Sequence, residues 1–259
     1  MKIEELNNKK LKEVISSIQG LKDIWPKVGL AGYIGSLSHG TNGNVIDDVD
    51  VMGTFISDKR FYLGFGGKGV YDNFSPDKLY DFVFYEFKKL IHLLYKSNPN
   101  VISLLWLREQ DYIICNEWGK RLIDNRQLFM SKQLFKTFGG YAVSQLKHMT
   151  RINEGGYQGS LRRERFEKFG YDLKNASHLI RLLRTGIEAL ITGEINVFRY
   201  DAVELKDIKE GKWTKEKVEK EADRLNKLLS EALVKSDLPP KPDKEKIEDL
   251  LIEILEENL

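Results

Sequence analysis

The stretch that most constrains the fold is residues 28–56, where two apolar runs flank a Gly35-Ser36 step and a polar loop. This pattern predicts a strand, a tight turn, a flexible loop and a second strand that opens on Asp48-Val49-Asp50. Because successive side chains of a strand point to opposite faces, Asp48 and Asp50 are expected on the same face. Two neighbouring carboxylates repel each other unless a cation lies between them. The segment therefore predicts a strand–turn–strand unit that carries a paired acidic site.

The chemistry of this unit favours phosphate and a divalent cation. Mg²⁺ (or Mn²⁺) prefers hard oxygen ligands and normally binds phosphates as well. The turn at Gly35 and Ser36 can bring backbone N–H groups close to a phosphate, since glycine adds no side chain. A phosphate-binding turn beside metal-binding acids indicates nucleotidyl transfer. The alternative is a hairpin with two solvated aspartates, Asp48 and Asp50.

A third acid usually completes such a site, either as a metal ligand or as the base for an attacking hydroxyl. Asp81 is the leading candidate because it is the one acid within the apolar run 79–85, where burial without a partner is unfavourable. Glu86 is second, since its position at the start of the next helix suggests a first-turn role. We therefore expect Asp48, Asp50 and Asp81 to be both catalytic and metal-binding.

The loop after the turn carries small polar side chains that can bind phosphate oxygens. Ser36 is the leading phosphate contact, and Ser38 and His39 are further candidates. For His39, a contact with phosphate or base and a capping role within the loop stay open. The sequence therefore predicts a phosphate or nucleotide site formed by Gly35, Ser36, Ser38 and His39.

The segment 172–192 predicts a long amphipathic helix with a basic face. At about 100° per residue, Lys174, His178 and Arg181 fall on one narrow face, with Arg184 at its edge. Glu188 is placed to pair with Arg184. The opposite face is predicted to be core and contains Ala176, Leu179, Ile180, Leu183, Ile187 and Leu190. Although a solvated basic face is common, this alignment predicts a clamp for the charge of a triphosphate.

Composition excludes several classes of protein. The 259-residue chain is 41% hydrophobic and 31% charged, with a net charge of +2, as is typical of a globular protein. No apolar run approaches the length of about 20 residues that spans a membrane. The start, Met1–Glu5, is polar and acidic, unlike a signal peptide. The single cysteine, Cys115, excludes an internal disulfide, is predicted to be a buried small hydrophobe and suits a reducing cytoplasm.

The order of elements predicts an α+β protein with two parts. A catalytic core is expected at residues 1–127, with a small mixed sheet and flanking helices of the α/β type. A helical domain is expected at 128–259, with the basic helix and C-terminal helices. Strands are predicted at 28–34, 48–56 and 79–85, with an irregular excursion at 57–78. Helices are predicted at 4–24, 86–95, 101–107, 132–151, 172–192, 214–234 and 244–257.

The motifs taken together resemble those of a known superfamily. Gly35-Ser36, a spacer and Asp48-Val49-Asp50 resemble the signature of the DNA polymerase β nucleotidyltransferases. The runs 85–90, 98–101 and 170–183 are similar to further motifs of the small stand-alone bacterial and phage members of the RlaP type. The similarity covers most of residues 30–200. One departure is Asp47-Asp48, where such proteins often carry Ser-Asp; the metal-binding pair is intact.

The resemblance implies an enzyme that moves a nucleoside monophosphate from a nucleoside triphosphate to a hydroxyl and releases pyrophosphate. Relatives in that family are associated with RNA repair, so an RNA acceptor such as a broken tRNA is implied. A protein side chain or a small molecule as acceptor stays open. Two other classes stay open as well: a catalytically silent nucleotide sensor, and an RNA-binding protein that uses the basic helix alone. Pyrophosphate release separates the enzyme from both.

Overall fold

The structure, a computed structural model, describes residues 8–43, 48–67, 69–74, 79–150 and 160–259. Five strands form one mixed sheet in the order β3-β4-β2-β1-β5. Their bounds are β1 Val28–Tyr33, β2 Val49–Phe55, β3 Val70–Phe74, β4 Tyr80–Glu86 and β5 Tyr112–Cys115. The central strands β2 and β4 are parallel, whereas β1 pairs antiparallel with β2 and β5, and β3 pairs antiparallel with β4. The predicted fold class is confirmed.

One face of the sheet forms a hydrophobic core with two N-terminal helices, α1 (Asn8–Ser17) and α2 (Gln19–Ile24). Along β4, burial alternates with the period of two expected for a strand with one packed face. Tyr80, Phe82 and Phe84 are buried in this core, and Asp81 is half-buried on the other face. The core therefore orients Asp81 away from itself.

Eleven further α-helices complete the described part of the chain. In the first half they are α3 Gly35–Ser38, α4 Lys59–Leu63, α5 Phe87–Tyr95, α6 Pro99–Ile102 and α7 Glu117–Asp124. In the second half they are α8 Gln133–Met149, α9 Ser160–Phe169, α10 Leu173–Thr192, α11 Ala202–Lys209, α12 Lys215–Lys235 and α13 Lys244–Asn258. None of the helices in the described ranges is both long enough and apolar enough to cross a membrane.

Contacts divide the chain into two compact units. The first contains the sheet and comprises Met1–Lys96, Asn100–Phe129 and Pro242–Leu259. The second is helical and comprises Ser97–Pro99 and Met130–Lys241. The sequence groups α13 with the helical part, but contacts place it in the first unit, where it packs on α5. Arg121 of α7 binds Glu253 and Glu257 of α13, which attaches this helix to the sheet unit.

Several predictions of secondary structure need correction. The excursion at 57–78 is not irregular, because it contains α4 and the edge strand β3. The single helix predicted at 4–24 is interrupted at Ile18, which has extended backbone angles. The helices α3, α7, α9 and α11 and the strand β5 were not predicted. In place of the helix predicted at 101–107, α6 ends at Ile102 and a short 3-10 helix, Ser103–Trp106, follows. Cys115 is exposed at the end of the edge strand β5, not buried. Residues 4–7, 44–47, 68, 75–78 and 151, to which some predictions refer, lie outside the described residues.

Candidate functional site

The turn between β1 and β2 is shaped by Gly35. Its φ of 68° lies in the left-handed region that favours glycine, and it starts the short helix α3 directly after the extended residue Ile34. The Ile34 amide donates to the Asp50 carbonyl at 2.9 Å. A Cβ atom at position 35 would overlap Oδ2 of Asp50. The missing side chain therefore lets the turn and the Asp50 carboxylate approach each other closely.

Gly35→Ala is expected to lower the free energy of unfolding by about 1–2 kcal/mol, because alanine is strained at this φ. It should also lower activity, because the new Cβ displaces the Asp50 carboxylate. Gly66→Ala is the matched control: Gly66 has a φ of 79°, and a Cβ atom added to it would meet no other atom within 4 Å, so that strain acts there alone. Chemical denaturation and nucleotidyl transfer are measured for both. Equal activity in the two variants would contradict the role of the close approach.

Two of the three predicted acids are register partners near one end of the central parallel strands. Asp50 of β2 is the register partner of Asp81 of β4, and neighbouring residues in register share a face of the sheet. Asp48 precedes β2 by one residue and is exposed, whereas Asp50 and Asp81 are half-buried. Alternation along the chain puts Asp48 on the face of Asp50. Pairing thus brings together two acids that are 31 positions apart in the sequence.

The donor chemistry and the backbone register of these acids fit a hard divalent cation, for which carboxylate oxygens are the preferred ligands. The side chains themselves do not converge: in the described ranges, no group of three or more His, Cys, Asp or Glu side chains is arranged to hold a metal ion. Oδ2 of Asp50 lies against Gly35, which gives the direction that this carboxylate takes. The three acids therefore suit a divalent cation in the type of their donor atoms and in the register of their strands, not in the positions of their side chains.

The polar residues after the turn divide into buried and accessible groups. Ser38 and His39 are buried, and the Ser38 hydroxyl donates to the Gly35 carbonyl at 3.2 Å. The His39 amide also donates to Gly35, at 3.2 Å. Ser36 is half-buried, and its side chain makes no hydrogen bond within the described ranges. Ser38 thus stabilises the turn, and Ser36 has the more accessible hydroxyl.

Glu86, the second candidate for the third acid, has a structural role. Its carboxylate accepts hydrogen bonds from the amides of Lys88 at 3.0 Å and Lys89 at 3.2 Å, which caps the N-terminus of α5. The Tyr62 hydroxyl of α4 also donates to it. Burial and this bond raise the pKa of Tyr62. Glu86 is therefore occupied by the helix cap, which leaves Asp81 as the candidate.

In the second unit, α10 carries the predicted basic face. Lys174 is exposed, and His178 and Arg181 are half-buried. Of the predicted core face, Ile187 is only half-buried, but burial extends well beyond that face because α8, α11 and α12 all pack on α10. The side chain of Asp172 accepts from the Asn175 amide at 2.9 Å and caps the helix.

His178 differs from the prediction in its charge. Burial, together with the charges of Arg181 and Lys174, lowers its pKa to about 3, so the imidazole is neutral at neutral pH. Its ring packs edge-on against Tyr141 with centroids 6.3 Å apart. Its Nε2 atom is buried and has no hydrogen-bond partner among the residues that the structure describes. Such an atom is unfavourable without a partner, which is consistent with a site for a ligand.

Within the described ranges Arg181 makes no ion pair or hydrogen bond, although the charge of Asp201 attracts it from a greater distance. Burial and the nearby charge of Arg199 lower its pKa to about 10, so it remains protonated at neutral pH. A charged group out of water normally has a partner. The arrangement can therefore accept an anion.

The acidic side chains around α10 form ion pairs with two other arginines, Arg184 and Arg199. Arg184 binds Asp201 at 2.7 Å, Glu204 at 2.5 Å and Glu221 at 3.2 Å, which corrects the prediction that it pairs with Glu188. Burial lowers the pKa of Arg184, but the hydrogen bonds to Asp201 and Glu204 outweigh this effect and the pKa is raised.

Arg199 binds the remaining acids, and sequence reasoning missed this residue. It contacts Glu188 at 2.7 Å and Asp201 at 2.8 Å, and its side chain is 0% exposed. The oxygen Oδ2 of Asp201 serves Arg184 and Oδ1 serves Arg199, so both are occupied. The residues lie on separate elements, so periodicity along one helix could not reveal the network.

The chain is similar to proteins of one known family over nearly its whole length. The model of a family described as RlaP, RNA repair pathway DNA polymerase beta family, matches residues 3–253. A nucleotidyltransferase-like protein from Exiguobacterium sibiricum 255-15 has a solved structure with 11% identity and a TM-score of 0.31. That match covers 95% of this chain and 80% of the other. No curated protein sequence is significantly similar. The family match does not depend on the solved structure.

Proposed function

The chain belongs to the RNA repair pathway DNA polymerase beta family, and on that premise we propose that it is a nucleotidyltransferase acting on RNA. It transfers a nucleoside monophosphate from a nucleoside triphosphate to a hydroxyl of the RNA and releases pyrophosphate. The observation that carries this proposal is the register pairing of Asp50 with Asp81 beside the Gly35 turn. The turn would thus supply backbone amides for phosphate, and the acids would supply oxygen donors for a cation, at the same end of the sheet.

Asp48, Asp50 and Asp81 are the residues that would hold Mg²⁺ (or Mn²⁺). A bound divalent ion supplies Lewis-acid polarisation of the α-phosphate and neutralises charge on the leaving pyrophosphate. Replacing any of these aspartates by Asn or Ala would remove one carboxylate, and with it one anionic ligand for the cation. All three acids are therefore expected to be needed for turnover.

The protein's own groups position the reactants and move the proton. Backbone amides at Gly35 and Ser36, with the Ser36 hydroxyl, bind terminal phosphate oxygens. Asp81 accepts the proton of the attacking RNA hydroxyl. The hydroxyl oxygen forms a bond to the α-phosphorus, and the bond from that phosphorus to the bridging oxygen of the β-phosphate breaks. Pyrophosphate leaves with that oxygen and its electron pair.

The cationic face of α10 binds phosphate charge. Lys174 and Arg181 supply positive charge, whereas neutral His178 uses Nε2 as a hydrogen-bonding atom. We assign the anion site to Arg181, because the acid near it, Asp201, is already paired with Arg184 and Arg199. The carboxylate of Asp201 attracts Arg181, but its two oxygens already accept hydrogen bonds from Arg184 and Arg199, so it competes only weakly with an incoming phosphate.

Arg181→Met is expected to keep or raise the stability of the free protein, because it removes a desolvated charge that forms no ion pair within the described ranges. The same variant should bind ATP with Mg²⁺ about tenfold more weakly, since it loses a charge-assisted hydrogen bond. Thermal unfolding with and without ATP and Mg²⁺ measures both effects. The control is Lys136→Met, which removes an exposed cation of α8 and should leave both unchanged. An unaltered shift of Tm by ATP in Arg181→Met would remove Arg181 from the phosphate site.

Transfer itself is tested with each α-³²P-labelled nucleoside triphosphate, Mg²⁺ and total RNA, with pyrophosphate release followed in parallel. Label in RNA, dependent on Mg²⁺, is the expected result. Label in protein would replace the RNA acceptor by a side chain. Nucleotide binding without pyrophosphate release would favour a nucleotide sensor instead.

A further inference from the structure

The segment between α10 and α11 alternates between buried and exposed side chains. Ile195, Val197 and Arg199 are buried, whereas Phe198 is 45% and Tyr200 75% exposed. Two aromatic rings are thus directed outward two residues apart, with a buried arginine between them. Large exposed aromatic side chains are unusual in globular proteins and mark binding surfaces when they occur together.

Tyr200 is held in place although it is exposed. Its hydroxyl donates to Glu188 Oε1 at 2.9 Å, and the guanidinium of Arg199 lies 5.0 Å from the ring centroid. Arg199 in turn is held by Glu188 and Asp201. The two contacts fix the orientation of the ring before any ligand binds, which lowers the entropy lost on binding. Tyr200 is therefore a pre-organised platform with accessible aromatic surface.

A basic groove of about 620 Å³ runs along α12 in the same unit. Its lining contains four cations and two acids. The cations Lys217, Lys220, Arg224 and Lys227 follow at steps of three and four residues, which places them on one helical stripe, and the acids are Glu221 and Asp223. Lys217 lies over the Trp213 ring at 3.8 Å. Within the described ranges, Lys220 and Lys227 form no ion pair. The stripe therefore offers cations to an external anion.

A continuous chain of ion pairs links the aromatic platform to the groove. Arg199 binds Asp201 at 2.8 Å, and Asp201 binds Arg184 at 2.7 Å. Arg184 binds Glu221 at 3.2 Å, and Glu221 binds Arg224 at 2.7 Å. The network thereby positions groups of the loop, α10 and α12 relative to one another. Platform and groove belong to one connected structure.

We propose that this surface binds single-stranded RNA, with bases stacked on Phe198 and Tyr200 and phosphates bound along the lysine stripe of α12. Proteins that bind single strands combine a basic groove with exposed aromatic rings in this way. A duplex hides the faces of its bases, so the aromatic rings favour a single strand. The proposal rests on the proposed function in that this strand is the acceptor RNA.

The test is fluorescence anisotropy with a labelled oligouridylate of about 12 nucleotides, a length in the range of known single-strand sites, and an abasic oligomer of equal length and charge. The double variant Phe198→Ala and Tyr200→Ala should bind oligouridylate at least about tenfold more weakly. Its binding of the abasic oligomer should be unchanged. Val203→Ala, which truncates a neighbouring side chain that is 74% exposed, is the matched control and should behave as wild type. Tyr200→Trp should retain binding.

The lysine stripe is tested separately through salt. The double variant Lys220→Ala and Lys227→Ala should bind with a weaker dependence on salt. The negative slope of log affinity against log salt should become less steep by about 0.7 for each lysine removed. An unchanged slope, or equal losses for both oligomers in the aromatic variant, would overturn the proposal. The binding assay contains no nucleoside triphosphate. If the aromatic variant binds oligouridylate as wild type does while the protein transfers label to RNA, the proposed aromatic surface is wrong and the proposed function stands. If binding depends on the bases but no label is transferred, the aromatic surface is supported and the proposed enzymatic function is wrong.

Discussion

Asp50→Asn is expected to lower the rate of nucleotidyl transfer by about a thousandfold or more, because the reaction depends on negative oxygens at this position. Asn has nearly the same shape as Asp but is neutral. It therefore binds a divalent cation weakly and cannot complete a paired acidic site with Asp81, its register partner. The effect should fall mainly on kcat, since the loss is largest where charge develops in the transition state.

The fold should survive this substitution. Asp50 is half-buried at the open end of β2, and the apolar face of the sheet packs without it. Loss of one carboxylate beside Asp81 also removes a repulsion in the metal-free protein. Circular dichroism and thermal unfolding should therefore match wild type. An inactive variant that is also unfolded would not support a catalytic role.

Asp58→Asn is the matched control for Asp50→Asn. Asp58 follows the same strand, is exposed and forms a surface ion pair with Lys27 at 2.7 Å. Such pairs contribute about 0–1 kcal/mol to stability, so both stability and transfer should be close to wild type. Substantial residual transfer in Asp50→Asn, with Asp58→Asn unchanged, would refute the assignment of Asp50.

The second large effect is expected on stability. Arg199→Met should lower the free energy of unfolding by about 3–5 kcal/mol, because it leaves the carboxylate of Glu188 without its arginine partner and Asp201 with Arg184 alone. Met approximates the length of the arginine side chain, which limits the cavity and makes the loss of charge the main term. Hydrogen bonds to both acids raise the pKa of Arg199 in spite of its burial, which agrees with strong pairing.

Urea denaturation followed by circular dichroism measures this loss. The control is Arg224→Met at the exposed end of the same network, where the side chain is 59% exposed and the expected loss is below about 1 kcal/mol. A loss of similar size in the two variants would show that burial of Arg199 does not determine the strength of its pairs. The Arg199→Met variant should also weaken binding of oligouridylate, because Tyr200 loses its cation–π contact.

The local parts of the fold could be predicted because neighbouring residues carry their signals. The apolar runs around Gly35 indicate β1 and β2, and the periodicity of the long segments indicates α8, α10, α12 and α13. Side-chain alternation places Asp48 and Asp50 on the same face. The Gly139-Gly140 pair weakens the prediction of α8, yet the helix continues. A Cβ atom at Gly139 would lie 3.4 Å from the side chain of Leu229 in α12, which is a van der Waals contact, so Gly139 faces the neighbouring helix α12.

Short edge strands were not predictable in the same way. The strand β5 depends on hydrogen bonds to β1, which is distant in sequence, whereas β3 pairs with the next strand, β4; each of the two edge strands has at most five residues. A run this short carries too little periodicity to distinguish a strand from a loop. The wrong prediction for Cys115 has the same cause. Its apolar neighbours in the sequence indicate burial, but the sequence pattern does not show that the residue lies at the edge of a sheet, where it is exposed.

The sequence by itself determined which residues can do the chemistry: the glycine turn, the acids of two strands and the cations of one helix. Periodicity and residue type are local properties, so they can be read directly from the sequence. Only the tertiary structure decided that Asp50 lies opposite Asp81, and that Arg184 and Arg199 pair with the acids while Arg181 forms no ion pair in the described ranges. The physical reason is that pairing register and buried charge depend on contacts between elements that are far apart in sequence, and neither leaves a periodic signal.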